Sequence, residues 1–161
     1  MAIFRQRRWI ESQLGKTSIE ARRATEDDIP FICDSWIKSY RDSPTAKHLS
    51  TSVYMAGHTP IVEHLLRERC GAIVLYPPDA GADEICGWIC AEIGGDGQFV
   101  LHYVYIKGPY RGLGLLRRLM GAAGCVDGET VLTTHVPRRH TRRKLRRYRI
   151  TVDPYLLREI L

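Results

Sequence analysis

Apolar residues recur in steps of three and four from Ile29 to Tyr40 (Ile29, Ile32, Cys33, Trp36, Ile37, Tyr40), the stripe of an amphipathic helix. Thr25-Glu-Asp-Asp28 ahead of it is a capping-box pattern that opens the helix, and Pro44 closes it. Thr17 to Ala24 alternates and reads as a strand. His48 to Thr59 has no clear period and reads as a loop carrying Tyr54 and His58. Ile61, Val62, Leu65, Leu66 and Arg69 then mark a second helix. From Gly71 onward the period drops to two. Gly71–Leu75, Glu84–Ile93 and Gln98–Ile106 read as strands joined by turns at Pro77–Asp83 and Gly94–Gly97, an antiparallel meander. Leu115–Ala123 reads as a helix, Thr130–Val136 as a strand, 139–149 as a helix with Thr141, Leu145 and Tyr148 on one face, and Ile150–Leu157 as a final extended segment. The order β–α–α–β–β–β–α–β–α–β predicts a mixed α/β domain over residues 17–161, after a basic arm at 1–16.

Composition narrows the class. The 161 residues are 44% hydrophobic and 26% charged, enough to bury a core. No apolar run reaches the roughly 18 residues of a membrane helix, and no h-region follows Arg5, Arg7 and Arg8, so no secretory signal is read. Five scattered cysteines point to reduced thiols and a cytoplasmic location. There is no CxxC, and Cys86-x-x-x-Cys90 lacks a second ligand pair, so the spacing predicts no metal site.

Charge is concentrated. Residues 138–149 hold eight of the 24 basic residues and no acid, whereas elsewhere the 18 carboxylates outnumber the bases. So many arginines without an acid repel one another and call for phosphates or another acidic partner.

The richest candidate chemistry follows the aromatic strand 98–106. There Lys107-Gly-Pro-Tyr-Arg111-Gly112-Leu113-Gly114-Leu115-Leu116 delivers the chain to a helix N-terminus through glycines. Glycine permits positive φ and close approach of backbone amides, and the helix start adds free N–H groups and partial positive charge, so the turn can cradle a diphosphate. It lacks the Gly-Lys-Ser/Thr of a Walker loop and does not follow a first strand as a Rossmann fingerprint does.

With its RRATEDDIPFI start and its central LHYVYIKGPYRGLGLLRRLM, the stretch from about 17 to 150 resembles the GCN5-related N-acetyltransferase (GNAT) family. The family's acyl-CoA signature, Q/R-x-x-G-x-G/A, falls on Arg111, Gly114 and Leu116, with Leu116 in place of a small residue. The resemblance implies a central, mostly antiparallel sheet with splayed strands, flanked by about four helices. It implies acetyl-CoA wedged between strands 98–106 and 130–136, on Tyr105, Ile106, Arg111, Gly112, Leu113, Gly114, Leu115 and Leu116. The amide of Ile106 or Tyr105 would hold the oxyanion. Some members use a histidine at the place of His102 as base or relay, with Glu92 and His135 as further candidates here. A tyrosine on the last helix, matched by Tyr148, protonates the leaving thiolate. The family's Y-x-x-x-G-F ending is absent, Tyr155 offers a second tyrosine, and a last strand is not provided for. Tyr40, His48 and Tyr54, with Trp36, Ser39 and Arg41 near them, are the acceptor-side candidates.

The expected activity is therefore transfer of an acetyl group from acetyl-CoA to a primary amine in a ternary complex, by a monomer or homodimer. One or two arginines would serve the phosphates of CoA. The surplus, Arg142, Arg143, Arg146 and Arg147, suggests DNA or RNA as the acceptor, with salt-dependent binding. The stretches DSWIKSYR and DPYLL are also similar to short bacteriophage-encoded GNAT-like proteins, among them Mom-type DNA-modifying enzymes. The alternative reading is a nucleic-acid-binding or CoA-binding module on the same fold without catalysis.

Overall fold

The computed structural model describes residues 18–81 and 83–157. The arm expected at 1–16 lies outside them. Strand β1 (Glu20–Arg23) leads into helix α1 (Ile29–Tyr40). The turn between them is organised by one carboxylate. Asp28 accepts hydrogen bonds from the Thr25 amide (2.7 Å) and hydroxyl (3.1 Å), and from both terminal nitrogens of Arg22 (2.6 and 3.0 Å). The predicted stripe is the buried one, with Ile29, Ile32 and Trp36 in the core. The helix stops at Tyr40, four residues before Pro44, where the chain turns through a Ser43 N–H bond to the Tyr40 carbonyl.

The segment read as a loop from His48 to Thr59 is helical instead. Helix α2 spans Thr51–His64, capped by the Ser50 hydroxyl, which accepts from the Val53 amide. Gly57 and Pro60 conceal this helix in the sequence, because both are poor interior residues and Pro60 has no amide to donate. The expected second helix, 61–69, is its continuation. Leu65–Arg69 widens into a π-turn, with the Cys70 and Gly71 amides both donating to the Leu65 carbonyl.

The meander is present as β2 (Ile73–Tyr76), β3 (Gly87–Ile93) and β4 (Phe99–Ile106). Helix α3 (Leu115–Ala122) then crosses to β5 (Thr130–Thr133), and helix α4 (Arg139–Lys144) to β6 (Arg149–Val152). The six strands lie in chain order, antiparallel from β1 to β4 and parallel from β4 to β6. Two predicted boundaries are corrected here. Helix 139–149 ends at Lys144, followed by a 3-10 turn at Leu145–Arg147, because residues 149–152 are claimed by the β5 edge. The extended segment expected to reach Leu157 gives way to a 3-10 turn at Pro154–Leu157.

Two apolar layers sandwich the sheet. On one face α1, α2 and the π-turn bury Ile32, Trp36, Val62 and Leu65 against Val74, Trp88 and Tyr103. On the other, α3 buries Leu115, Leu119 and Met120 against Leu75, Ile89, Leu101 and Val131. Among the described residues no helix is long and apolar enough to cross a membrane.

Candidate active site

Two irregularities in β4 create the site. Cys90 pairs with Tyr103 but Ala91 pairs with Leu101, so His102 is a surplus residue, a β-bulge. Beyond it, β4 continues with β3 alone. β5 matches only Phe99–Leu101, through Val131–Thr133, and then diverges. Ladder alternation fixes what the gap receives. The Lys107 amide donates to the Cys86 carbonyl on the β3 side. The backbone groups of Tyr105 therefore also face β3, and those of Val104 and Ile106 turn to the side β5 has left.

The gap is the mouth of a cleft of about 650 Å³. One wall is β4 from Tyr103 to Ile106; another is the turn from Tyr110 into α3; α4 and Tyr148 close the third. The turn has the backbone its glycines permit, with φ of 86° at Gly112 and 76° at Gly114, where a side chain would be strained. Gly114 caps α3, whose first amides have no intrahelical acceptor, and its first residues, Leu115 to Arg117, line this space. Arg111 folds back, its Nε donating to the Ile106 carbonyl at 2.8 Å. Of the eight residues expected to bind the cofactor, seven line the cleft; the side chain of Leu113 packs on the core instead. Leu116 lines it too, half-buried, where the resemblance called for a small residue.

Among the described residues, seven bases and no acid line this cleft: Arg111, Arg117, Arg138, Arg143, Lys144, Arg146 and Arg147. Asp127 takes up Arg117 (2.8 Å) and Arg147 (3.6 Å), and Asp42 takes up Arg138 (3.3 Å). Arg143, Lys144 and Arg146 have no carboxylate partner among the described residues. Arg139, Arg142, Arg143 and Arg146 also frame a second depression beside the cleft.

Tyr148 is 6% exposed, packed in the α3-side core with one edge on the cleft. Burial is the main reason its phenol titrates above the ordinary tyrosine range. Next to the cleft, sharing Tyr103, Val104, Arg138 and Thr141 with it, is a small cavity of about 30 Å³ that reaches Tyr40 and His135. Tyr40 stacks on His58 (4.4 Å between ring centres) and His135 lies 5.1 Å from the Tyr103 ring. Burial pushes both histidines down to about 4, so they are neutral imidazoles at neutral pH.

The remaining candidates fall elsewhere. His102 is 2% exposed on the α1/α2 side of the sheet, Nε2 2.9 Å from Glu92 Oε1, and is not among the residues lining the cleft. Tyr54 is buried, its hydroxyl donating to the Ile37 carbonyl at 2.7 Å, which explains it as an anchor of α2 on α1. His48 is exposed in a 3-10 turn before α2, away from the cleft walls. Trp36 is core, stacked on Tyr103. Sequence reasoning missed Val104, Tyr110 and Arg138 as lining residues. The first depends on the bulge, which leaves no mark in the sequence, and the others follow from no local pattern.

No family model matches the chain, and no curated protein does, so the likeness to phage-encoded proteins finds no support there. Solved structures do match. A possible acetyltransferase from Clostridium difficile superimposes with a TM-score of 0.52 at 19% identity, over 81% of this chain and 90% of its own. The aminoglycoside N-acetyltransferase AAC(6')-Iy, in complex with CoA, gives 0.52 at 12% identity, over 80% and 84%. A histone acetyltransferase HPA2-related protein from Corynebacterium glutamicum gives 0.50 at 18%, over 66% and 72%. The fold is thus that of the GNAT acetyltransferases.

Proposed function

We propose that the protein is an acyl-CoA-dependent N-acyltransferase that moves an acetyl group from acetyl-CoA to an amine. The observation that carries this reading is one cleft that joins three features: the positive-φ turn at the start of α3, the cleft-facing amides after the bulge, and a buried tyrosine. Each matches a need of thioester aminolysis. The diphosphate is an anion, for which the α3 amides, Arg111 and the unpaired bases of α4 are suited. The carbonyl oxygen becomes an oxyanion as the amine nitrogen attacks the carbonyl carbon, and the Ile106 N–H is the donor for it. When the C–S bond breaks, the electron pair leaves on sulfur, and the Tyr148 hydroxyl supplies its proton. Burial keeps that phenol protonated at neutral pH, as an acid requires. The amine loses its own proton to solvent, and the products are an N-acetyl amide and free CoA thiol.

The acceptor enters, in this reading, from the side of Tyr40, Ser39 and His135. The acid-free group Arg139, Arg142, Arg143 and Arg146 supports an acceptor that carries phosphates, and a nucleic acid is the polyanion we propose. His102 is given no contact with the reacting atoms. Thiol release from acetyl-CoA, with mass detection on DNA, RNA, peptide and small-amine acceptors run in parallel, tests the whole. Acetyl-CoA is expected to raise the melting temperature and one acceptor to gain an acetyl mass. No binding of CoA at millimolar concentration overturns the reading. Salt-dependent DNA binding with CoA bound but no acyl transfer would favour a non-catalytic module.

A further inference from the structure

On the sheet face opposite α3, four side chains from three separated segments converge. Cys70, at the end of the π-turn, has its sulfur 3.4 Å from that of Cys90 on β3. Glu92, two residues along β3, meets the bulge residue His102 at 2.9 Å. The donor atoms of Cys70, Glu92 and His102 all lie within 4.8 Å of one another. Cys90 and His102 are wholly buried, whereas Cys70 and Glu92 are half-buried and give a path to solvent.

We infer that Cys70, Cys90, Glu92 and His102 form a binding site for a divalent transition metal of the zinc type. The donor set is two sulfurs, an imidazole and a carboxylate, the mixture that a borderline-soft tetrahedral ion takes. At bond lengths of about 2.0–2.3 Å, four tetrahedral donors stand roughly 3.3–3.8 Å apart. Cys70, Glu92 and His102 already hold their donor atoms within 4.8 Å of one another; Cys90 joins them through Cys70, 3.4 Å from its sulfur, and its thiol must swing toward the other two donors for the set to close on an ion. Charge also balances. Two thiolates and the Glu92 carboxylate are three negative charges, and Arg69, which binds Glu92 through Nη2 (2.9 Å) and Nε (3.1 Å), offsets one. The remaining two match a divalent cation. Arg69 also orients the carboxylate, as outer partners of metal ligands do. Loading releases both thiol protons to solvent and replaces the His102–Glu92 hydrogen bond with two metal bonds. No spacing rule finds this set, because Cys90 pairs with Cys70 across the fold, not with Cys86.

The site has a structural consequence. Cys90 lies just before the register shift on β3, and His102 is the residue it leaves over. A metal held by both would pin the bulge that turns the Val104 and Ile106 amides toward the cleft.

The untagged full chain, purified under reducing conditions and stripped with chelator, is titrated with cobalt(II) and then zinc(II). The expected result is a thiolate-to-cobalt charge-transfer band that saturates at one equivalent and is bleached by one equivalent of zinc, with a higher melting temperature in the loaded protein. Cys70→Ser and Cys90→Ser should each weaken binding more than about tenfold, whereas Cys86→Ser and Cys125→Ser leave it unchanged. Absence of the band in the folded, reduced wild-type protein overturns the site without any variant. A band that survives in the Cys70→Ser/Cys90→Ser double variant overturns it equally.

Discussion

Leu101 and Tyr103, two residues apart on β4, lie on opposite faces of the sheet: Leu101 packs under α3, Tyr103 under α1 and α2. An unbroken strand would put both on one face. The bulge at His102 makes the exchange, and it also exchanges which amides point into the cleft. Because the Ile106 amide faces away from β3, Ile106→Pro should spare the ladder and lower kcat by about 10²–10³-fold, the usual cost of a lost oxyanion donor. Tyr105→Pro removes a ladder bond and should lower the melting temperature far more. Steady-state thiol release and thermal unfolding of the pair check this. Equal thermal effects would place the Ile106 amide in the β3 ladder and remove it as the oxyanion donor.

Tyr148→Phe removes only a hydroxyl from a buried ring. If that hydroxyl protonates the leaving thiolate, kcat should fall by about 10²-fold or more with KM for acetyl-CoA little changed. Burial raises the Tyr148 phenol, so the wild-type rate should hold through the ordinary tyrosine pKa near 10 before it declines. A pH–rate profile of kcat for both proteins separates an acid from a packing residue, because loss of packing alone does not remove the alkaline limb.

What could be read from the chain was what is local. The stripe of α1, the Thr25–Asp28 turn, the meander and the RGLG turn are set by neighbours within a few residues, and all appear where their patterns placed them. α2 was hidden because Gly57 and Pro60 oppose a helix that tertiary packing of Tyr54 and Val62 stabilises. The side on which His102 points could not be read, since a one-residue bulge is silent in an aromatic strand. The convergence of Cys70 on Cys90 depends on the π-turn and the sheet together, and so has no sequence signal. Tyr148 could be placed in order but not in depth.

Asp28 gives a stability prediction with a definite sign. The Arg22 guanidinium bound to it, helped by the Thr25 amide and hydroxyl, holds its carboxyl below the ordinary range despite burial. A depressed folded-state pKa contributes stability above the unfolded value near 3.9, and this is lost as pH falls through the folded value. Asp28→Asn should therefore cost roughly 1.5–3 kcal/mol at pH 7, or about 5–10 °C in Tm. The gap between the two proteins should narrow as pH drops below 4 and close at lower pH. Paired denaturation curves from pH 7 to acid measure it; a gap independent of pH would remove the ion pair as its cause.

The arginines of α4 and of the 3-10 turn after it allow a quantitative test that separates the cofactor from a polyanionic acceptor. Arg142 borders only the outer depression, whereas Arg147 borders only the cleft and Arg146 borders both. Each phosphate neutralised on duplex DNA adds about 0.9 to the slope of log K against log salt. Arg142→Ala should lower that slope by about 0.9 for DNA and leave the affinity for CoA unchanged. Arg146→Ala should weaken both ligands, since it stands on the shared rim. Fluorescence anisotropy across a salt series, with CoA binding by calorimetry on the same proteins, gives both quantities. If Arg142→Ala shifts CoA binding and not the DNA slope, the outer arginines serve the nucleotide of CoA, and the acceptor need carry no phosphate.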